Sequence, residues 1–127
     1  MTRKKYTLTA TAEADLRLAK AWSLSRWDKA LTKQYFSDLH EGGNYIADNH
    51  ESLSSRSELT GNTGLFISPV REHYIVYVPV ADNHIVIVSF IRQSRDIPSI
   101  LARGSYRINR EMLEIKKQIK QGKIKFQ

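Results

Sequence analysis

At 127 residues, 41% of them hydrophobic and 26% charged, the chain is long enough for one folded domain and too apolar for a disordered one. It has no cysteine, which excludes a disulfide scaffold, a zinc ribbon, an iron–sulfur centre and a thiol nucleophile. The net charge of +7 is uneven: residues 1–63 hold 9 Lys and Arg against 8 Asp and Glu, and residues 64–127 hold 11 against 5, which fits either a polyanionic partner or a solvated basic helix.

Tyr6-Thr7-Leu8-Thr9 is β-prone and predicts a short first strand. Thr9 or Thr11 then offers an N-cap hydroxyl, with Glu13 and Asp15 in the first turns. Ala12, Leu16, Ala19, Ser23 and Trp27 recur at helical spacing and predict a helix from about Ala10 to Trp27. A second helix is expected from Lys29 towards Ala47, with Leu31, Tyr35, Leu39 and Ile46 as its stripe. Gly42-Gly43 predicts a kink or break in it, because each glycine costs about 1 kcal/mol against Ala in a helix. The two helices should form an antiparallel hairpin.

Asp48 to Gly64 is polar and reads as a loop with little regular structure. Strands follow at Leu65-Phe66-Ile67, Tyr74 to Val78 and His84 to Ile91. Ala81-Asp82-Asn83 joins the last two as a hairpin, and Pro79 belongs at a strand end or an edge. A strand, two helices and a run of hairpin strands imply an α+β fold with a mainly antiparallel sheet. Asp96 caps a further helix with Pro98 in its first turn, and Gly104 ends that piece. Ile108, Met112, Ile115 and Ile119 form the stripe of an amphipathic C-terminal helix that stops at Gly122, its lysines lying off the stripe. The expected organisation is a domain over 1–104 extended by the basic helix over 105–127.

The longest mostly apolar stretch, Tyr74 to Ile91, is broken by Pro79, Asp82, Asn83 and His84, so it does not span a membrane. The basic N-terminus is followed by no apolar signal core, and a cytoplasmic location is expected. There is no glycine-rich phosphate loop, nucleophile elbow or H-E-x-x-H motif. No metal or cofactor is expected. His73 and His84 flank a predicted hairpin, but two imidazoles make a weak metal set, and His73 reads better as a satisfied sheet histidine. Trp22 and Trp27 are read as packing the helix hairpin onto the sheet rather than stacking bases. Arg71, Arg92 and Arg95 lie at strand ends, either as solvated arginines or as an anion-binding patch.

These pieces in order resemble the ParE branch of the RelE/ParE toxin superfamily. The resemblance runs from Tyr6-Thr7-Leu8-Thr9 and Ala12-Glu13-Ala14-Asp15-Leu16 through Trp27, Tyr35 and Leu39 to Tyr45-Ile46-Ala47 and Glu58-Leu59. It continues in His73-Tyr74-Ile75-Val76-Tyr77 and Ile85-Val86-Ile87, and is most specific in Ile91-Arg92-Gln93-Ser94-Arg95-Asp96-Ile97. It covers about Tyr6 to Leu101. Gly42-Gly43 and the tail from Arg103 depart from the pattern.

The resemblance implies a type II toxin, neutralised by a small acidic antitoxin. It implies inhibition of DNA gyrase without catalysis; Arg71, Arg92 and Arg95 are the candidate target contacts, and in a RelE-type endonuclease the same three would clamp phosphates. It places the antitoxin on the helix hairpin at Leu16, Trp27, Tyr35 and Leu39 and along the sheet edge. The RelE branch instead cuts mRNA on the ribosome with a Tyr or His near the chain end. The segment Arg95 to Leu101 contains neither, and Tyr106 lies beyond Pro98 and Gly104. That favours ParE over a RelE-type endonuclease, and a non-toxic antitoxin-binding relative remains a third reading.

Overall fold

The computed structural model describes residues 4–53, 57–61 and 63–124. The expectations for Met1 to Arg3, Ser54, Ser55, Asn62 and Lys125, and for the side chain of Glu58, lie outside the described residues.

Strand β1 (Tyr6–Leu8) leads into α1 (Ala10–Arg26), where Thr9 is the N-cap and its hydroxyl accepts from the Ala12 N–H. Trp27 and Asp28 join α1 to α2 (Lys29–Asn49), and the Asp28 carboxylate caps α2 by accepting from the Leu31 N–H at 2.9 Å. After a 3-10 turn (His50–Ser52) and the short α3 (Ser57–Thr60) come β2 (Phe66–Val70), β3 (His73–Ala81) and β4 (His84–Arg92). Helix α4 (Ile97–Lys120) closes the described chain. The sheet order is β1-β4-β3-β2, with β1 parallel to β4 and the other pairs antiparallel. This is the α+β arrangement expected from the element order.

Helices cover both faces of the sheet. Ile75, Tyr77, Ile85, Ile87 and Phe90 pack under Ala12, Ile46 and Ala47 of the hairpin. On the opposite face Ile67, Val76, Val86, Val88 and Ile91 meet Ile97, Leu101, Ile108, Met112 and Ile115 of α4. Strand β4, central and covered twice, is therefore apolar almost throughout rather than alternating. A register shift interrupts its pairing with β3: Val76 faces Ser89 but Tyr77 faces Ile87, so Val88 is one residue extra. Such a bulge reverses the in–out alternation beyond it. Phe90 consequently turns to the hairpin side and Ile91 to the α4 side.

Several expectations are corrected. Helix α2 runs through Gly42-Gly43 without a break and on to Asn49. The glycines serve close packing: a Cβ at Gly42 would lie 2.7 Å from both methyls of Val70, and one at Gly43 would lie 3.0 Å from the Tyr6 ring. Leu31 is exposed, and Thr32 takes the buried place beside it. The polar stretch after Asp48 holds the end of α2, the 3-10 turn and α3. Gly104 does not end a helix, since α4 is continuous across it, with Asp96 as the N-cap as expected. The helix stops before Gly122, whose φ of +73° only glycine adopts cheaply. Pro79 lies near the end of β3, as expected, opposite Ile85 beside a second register shift and past Tyr77, the last residue paired with β2.

Candidate functional site

Arginines gather where β2 turns into β3 and β4 ends. Arg71 occupies the two-residue turn between Val70 and His73, with a left-handed φ of +57°. Its guanidinium lies 5.1 Å from the centre of the Tyr35 ring and is ion-paired with Asp38. Arg92 is the last residue of β4 and stands 5.2 Å from the Trp22 ring centre. It reaches the hairpin side because the bulge at Val88 has reversed the alternation upstream of it. Arg26, at the end of α1, stands 4.9 Å from the same indole. The cleft is lined by Trp22, Arg26, Arg71, Glu72, Arg92 and Gln93.

Behind the guanidiniums lies an aromatic floor. Trp22 packs edge-on against Trp27, Tyr35 and His73, which joins the hairpin to the sheet as anticipated for the two tryptophans. The buried Tyr35 hydroxyl accepts from the Glu72 N–H at 3.2 Å and shares a hydrogen bond with His73 Nδ1 at 2.5 Å. Burial, with Arg92 nearby, pushes the His73 imidazole down to about 4, so the ring is neutral in that contact. Gln93 completes the frame: its side-chain amide donates to the carbonyls of Arg71 and His73 at 2.8 and 3.1 Å. The turn bearing Arg71 is thus tied to the end of β4.

Arg95 is exposed and lines a neighbouring groove with Asp15, Trp22, Ser89, Phe90 and Arg92. Arg92 borders both clefts. Asp15 is a structural carboxylate there, accepting from Ser89 Oγ at 2.5 Å and from the Phe90 N–H at 3.1 Å. Burial raises its pKa, opposed by those hydrogen bonds.

The structure therefore brings Arg71 and Arg92 together and sets Arg95 one groove away. Arg26 was not among the sequence candidates; its signal was the spacing of four from Trp22, which stacks a cation on an aromatic along one helix face. Of the residues expected on an antitoxin surface, Tyr35 and Leu39 are buried in the core, and Leu16 and Trp27 are half-buried. The hairpin instead presents Leu18, Leu24, Leu31 and Tyr45 to solvent. His73 and His84 lie at opposite ends of the β3–β4 pair, because His73 faces Arg92 while His84 faces Ala81. They do not converge; His84 Nε2 bonds the Thr7 hydroxyl at 2.9 Å. Among the described residues no three His, Asp or Glu side chains are placed to hold a metal ion. No described helix is long and apolar enough to cross a membrane.

Chemically the cleft offers three guanidiniums on aromatic faces, a geometry suited to carboxylate or phosphate, although that of Arg71 is already shared with Asp38. Its imidazole is buried and already bonded, and Tyr106 lies elsewhere, on α4 beside Arg107 and Arg110.

Residues 6–97 match a family described as the ParE toxin of the type II toxin–antitoxin system parDE. The toxin ParE of Escherichia coli is 29% identical over 97 residues, covering 76% of this chain and 92% of the relative. A solved structure, the chromosomal ParDE TA system from P. aeruginosa, shares the fold at a TM-score of 0.57 and 14% identity, covering 69% of this chain and 94% of that one.

Proposed function

The chain belongs to the ParE toxin family of type II toxin–antitoxin systems, and from that premise we propose that it stops growth by binding DNA gyrase through the arginine cleft, without catalysis, until an acidic antitoxin neutralises it. The observation that carries this reading is the convergence of Arg26, Arg71 and Arg92 on the Trp22–Tyr35 floor. Guanidiniums held against aromatic faces are pre-oriented, so less side-chain entropy is lost when they meet an anionic surface. The absence of catalysis is supported by the state of His73, neutral and engaged with Tyr35, and by the distant placement of Tyr106. Antitoxin binding is supported by the solvent-facing leucines of the hairpin and by the positive net charge, which speeds encounter with an acidic chain.

Induction without antitoxin should give filamentous cells, and the purified protein should block supercoiling by gyrase. Arg71→Ala with Arg92→Ala should keep the fold and lose the block. Normal supercoiling at a large excess of folded protein rejects the gyrase reading. Ribosome-dependent cutting of mRNA within codons, lost in Arg92→Ala, replaces it with the endonuclease reading.

A further inference from the structure

The family match ends at Ile97, but α4 continues to Lys120. Its inner stripe is spent on the sheet. Its outer face carries Leu113, Lys116, Lys117 and Lys120 at positions i, i+3, i+4 and i+7, one stripe of the helix surface. Leu113 is 68% exposed, although a large apolar side chain gains nothing from water. With Ile119, and with Pro79 and Val80 from the end of β3, these residues line a groove between helix and sheet. Pro79 and Val80 lie past Tyr77, the last β3 residue paired with β2, so that strand does not cover them. Among the described residues none of the three lysines is ion-paired.

We propose that this groove receives an acidic amphipathic segment of the antitoxin, laid along α4 with its apolar residues on Leu113, Ile119, Pro79 and Val80 and its carboxylates on the lysines. The inference rests on the antitoxin reading above and gives it a surface outside the matched residues. Both halves of the groove decide the occupant. A nucleic-acid backbone engages the lysines but leaves Leu113 wet, because phosphates bring no apolar surface. A second copy of this chain brings the same lysines and is repelled. A segment alternating apolar and acidic faces satisfies floor and rim together, the helix-in-groove mode of peptide capture.

The test uses the full chain and the antitoxin encoded in the neighbouring reading frame, with affinity read by titration calorimetry. Lys116→Glu, Lys117→Glu and Lys120→Glu combined should weaken the complex by at least about tenfold, and Leu113→Ser by severalfold. The three Lys→Arg changes should leave it intact, and the free variants should melt as the parent does. Unchanged affinity in both the charge-reversed and the Leu113 variants overturns the groove while leaving the antitoxin reading standing. No complex with the parent chain overturns that reading and the groove with it. Binding of a 20-base-pair duplex that needs the lysines but not Leu113, with antitoxin affinity unaffected, reassigns the face to nucleic acid.

Discussion

Glu111 of α4 accepts both the backbone N–H and the hydroxyl of Thr11, each at 2.9 Å, across a hundred residues of sequence. The first turn of a helix has N–H groups without partners inside the helix. Thr9 satisfies that of Ala12 from within the segment, and Glu111 satisfies that of Thr11 from the far end of the chain. A carboxylate there also opposes the positive end of α1. Glu111→Ala should therefore cost ~1 kcal/mol, as loss of a helix cap does. Urea unfolding measures it; an unchanged midpoint would mean that water replaces the carboxylate fully.

Ending the chain before Ser105 removes that cap and the burial of Ile108, Met112 and Ile115 together. Each such side chain is worth roughly 1.5–3 kcal/mol when buried, and whole domains are stable by only about 5–15 kcal/mol. The truncated chain should lose its cooperative melt and bind a hydrophobic dye, since Val76, Val86 and Val88 lose part of their cover. A truncated chain that melts like the parent rejects the packing of α4 on its own sheet as a source of stability.

Three glycines in helices should respond to alanine with opposite signs. Gly42→Ala drives a methyl into Val70 at 2.7 Å and should cost about 1–3 kcal/mol, outweighing the better helix propensity of alanine. Gly43→Ala meets the Tyr6 ring at 3.0 Å and should also destabilise. At Gly104 the nearest atom is Ile108 Cδ1 at 3.8 Å, an ordinary contact, so Gly104→Ala should stabilise by up to about 1 kcal/mol. Denaturant midpoints of the three variants check the pattern.

Acid should weaken the fold through His73. Its folded pKa of about 4 lies below the ordinary histidine value near 6.5. Between those values the unfolded chain binds a proton that the folded chain does not, so stability falls as pH drops from about 6.5 towards 4. The loss approaches about 3 kcal/mol, at 1.36 kcal/mol per pKa unit. His73→Gln should flatten the difference in urea midpoint between neutral and mildly acid solution. An equally steep variant assigns the acid sensitivity to other groups.

Arg71→Gly should separate function from stability. Glycine accepts the φ of +57° without strain, a gain of ~1 kcal/mol. The partly exposed pair with Asp38 and the contact with Tyr35 are worth about as much. The melting temperature should barely move, while the gyrase inhibition proposed above should fall. Full inhibition in a stable Arg71→Gly variant removes Arg71 from the target surface.

What could be read in advance was local. The cap at Asp96, the helical spacing of Ala12, Ala19 and Ser23, the strands on either side of Asp82-Asn83 and the stripe Ile108, Met112, Ile115 all follow from steric preference and burial within one element. Their order was enough to fix an α+β sheet and to suggest a family. Gly104 and Gly42-Gly43 misled for a common reason: helix propensity is a difference of about 1 kcal/mol, and packing across elements exceeds it. The burial of Tyr35 and Leu39 likewise depends on which face of α2 meets the sheet, so an apolar stripe alone does not say whether it awaits a partner.

The sequence by itself determined the elements, the charge asymmetry and three arginines at strand ends. Tertiary structure decided where those arginines point. Strict alternation along β4 would have put Arg92 on the side of Val86 and Val88, under α4. One extra residue at Val88 turns it to the opposite face, onto Trp22 and beside Arg26 and Arg71. A bulge is a property of two strands in register, not of either alone, because it exists only where one strand spends two residues against one of its neighbour.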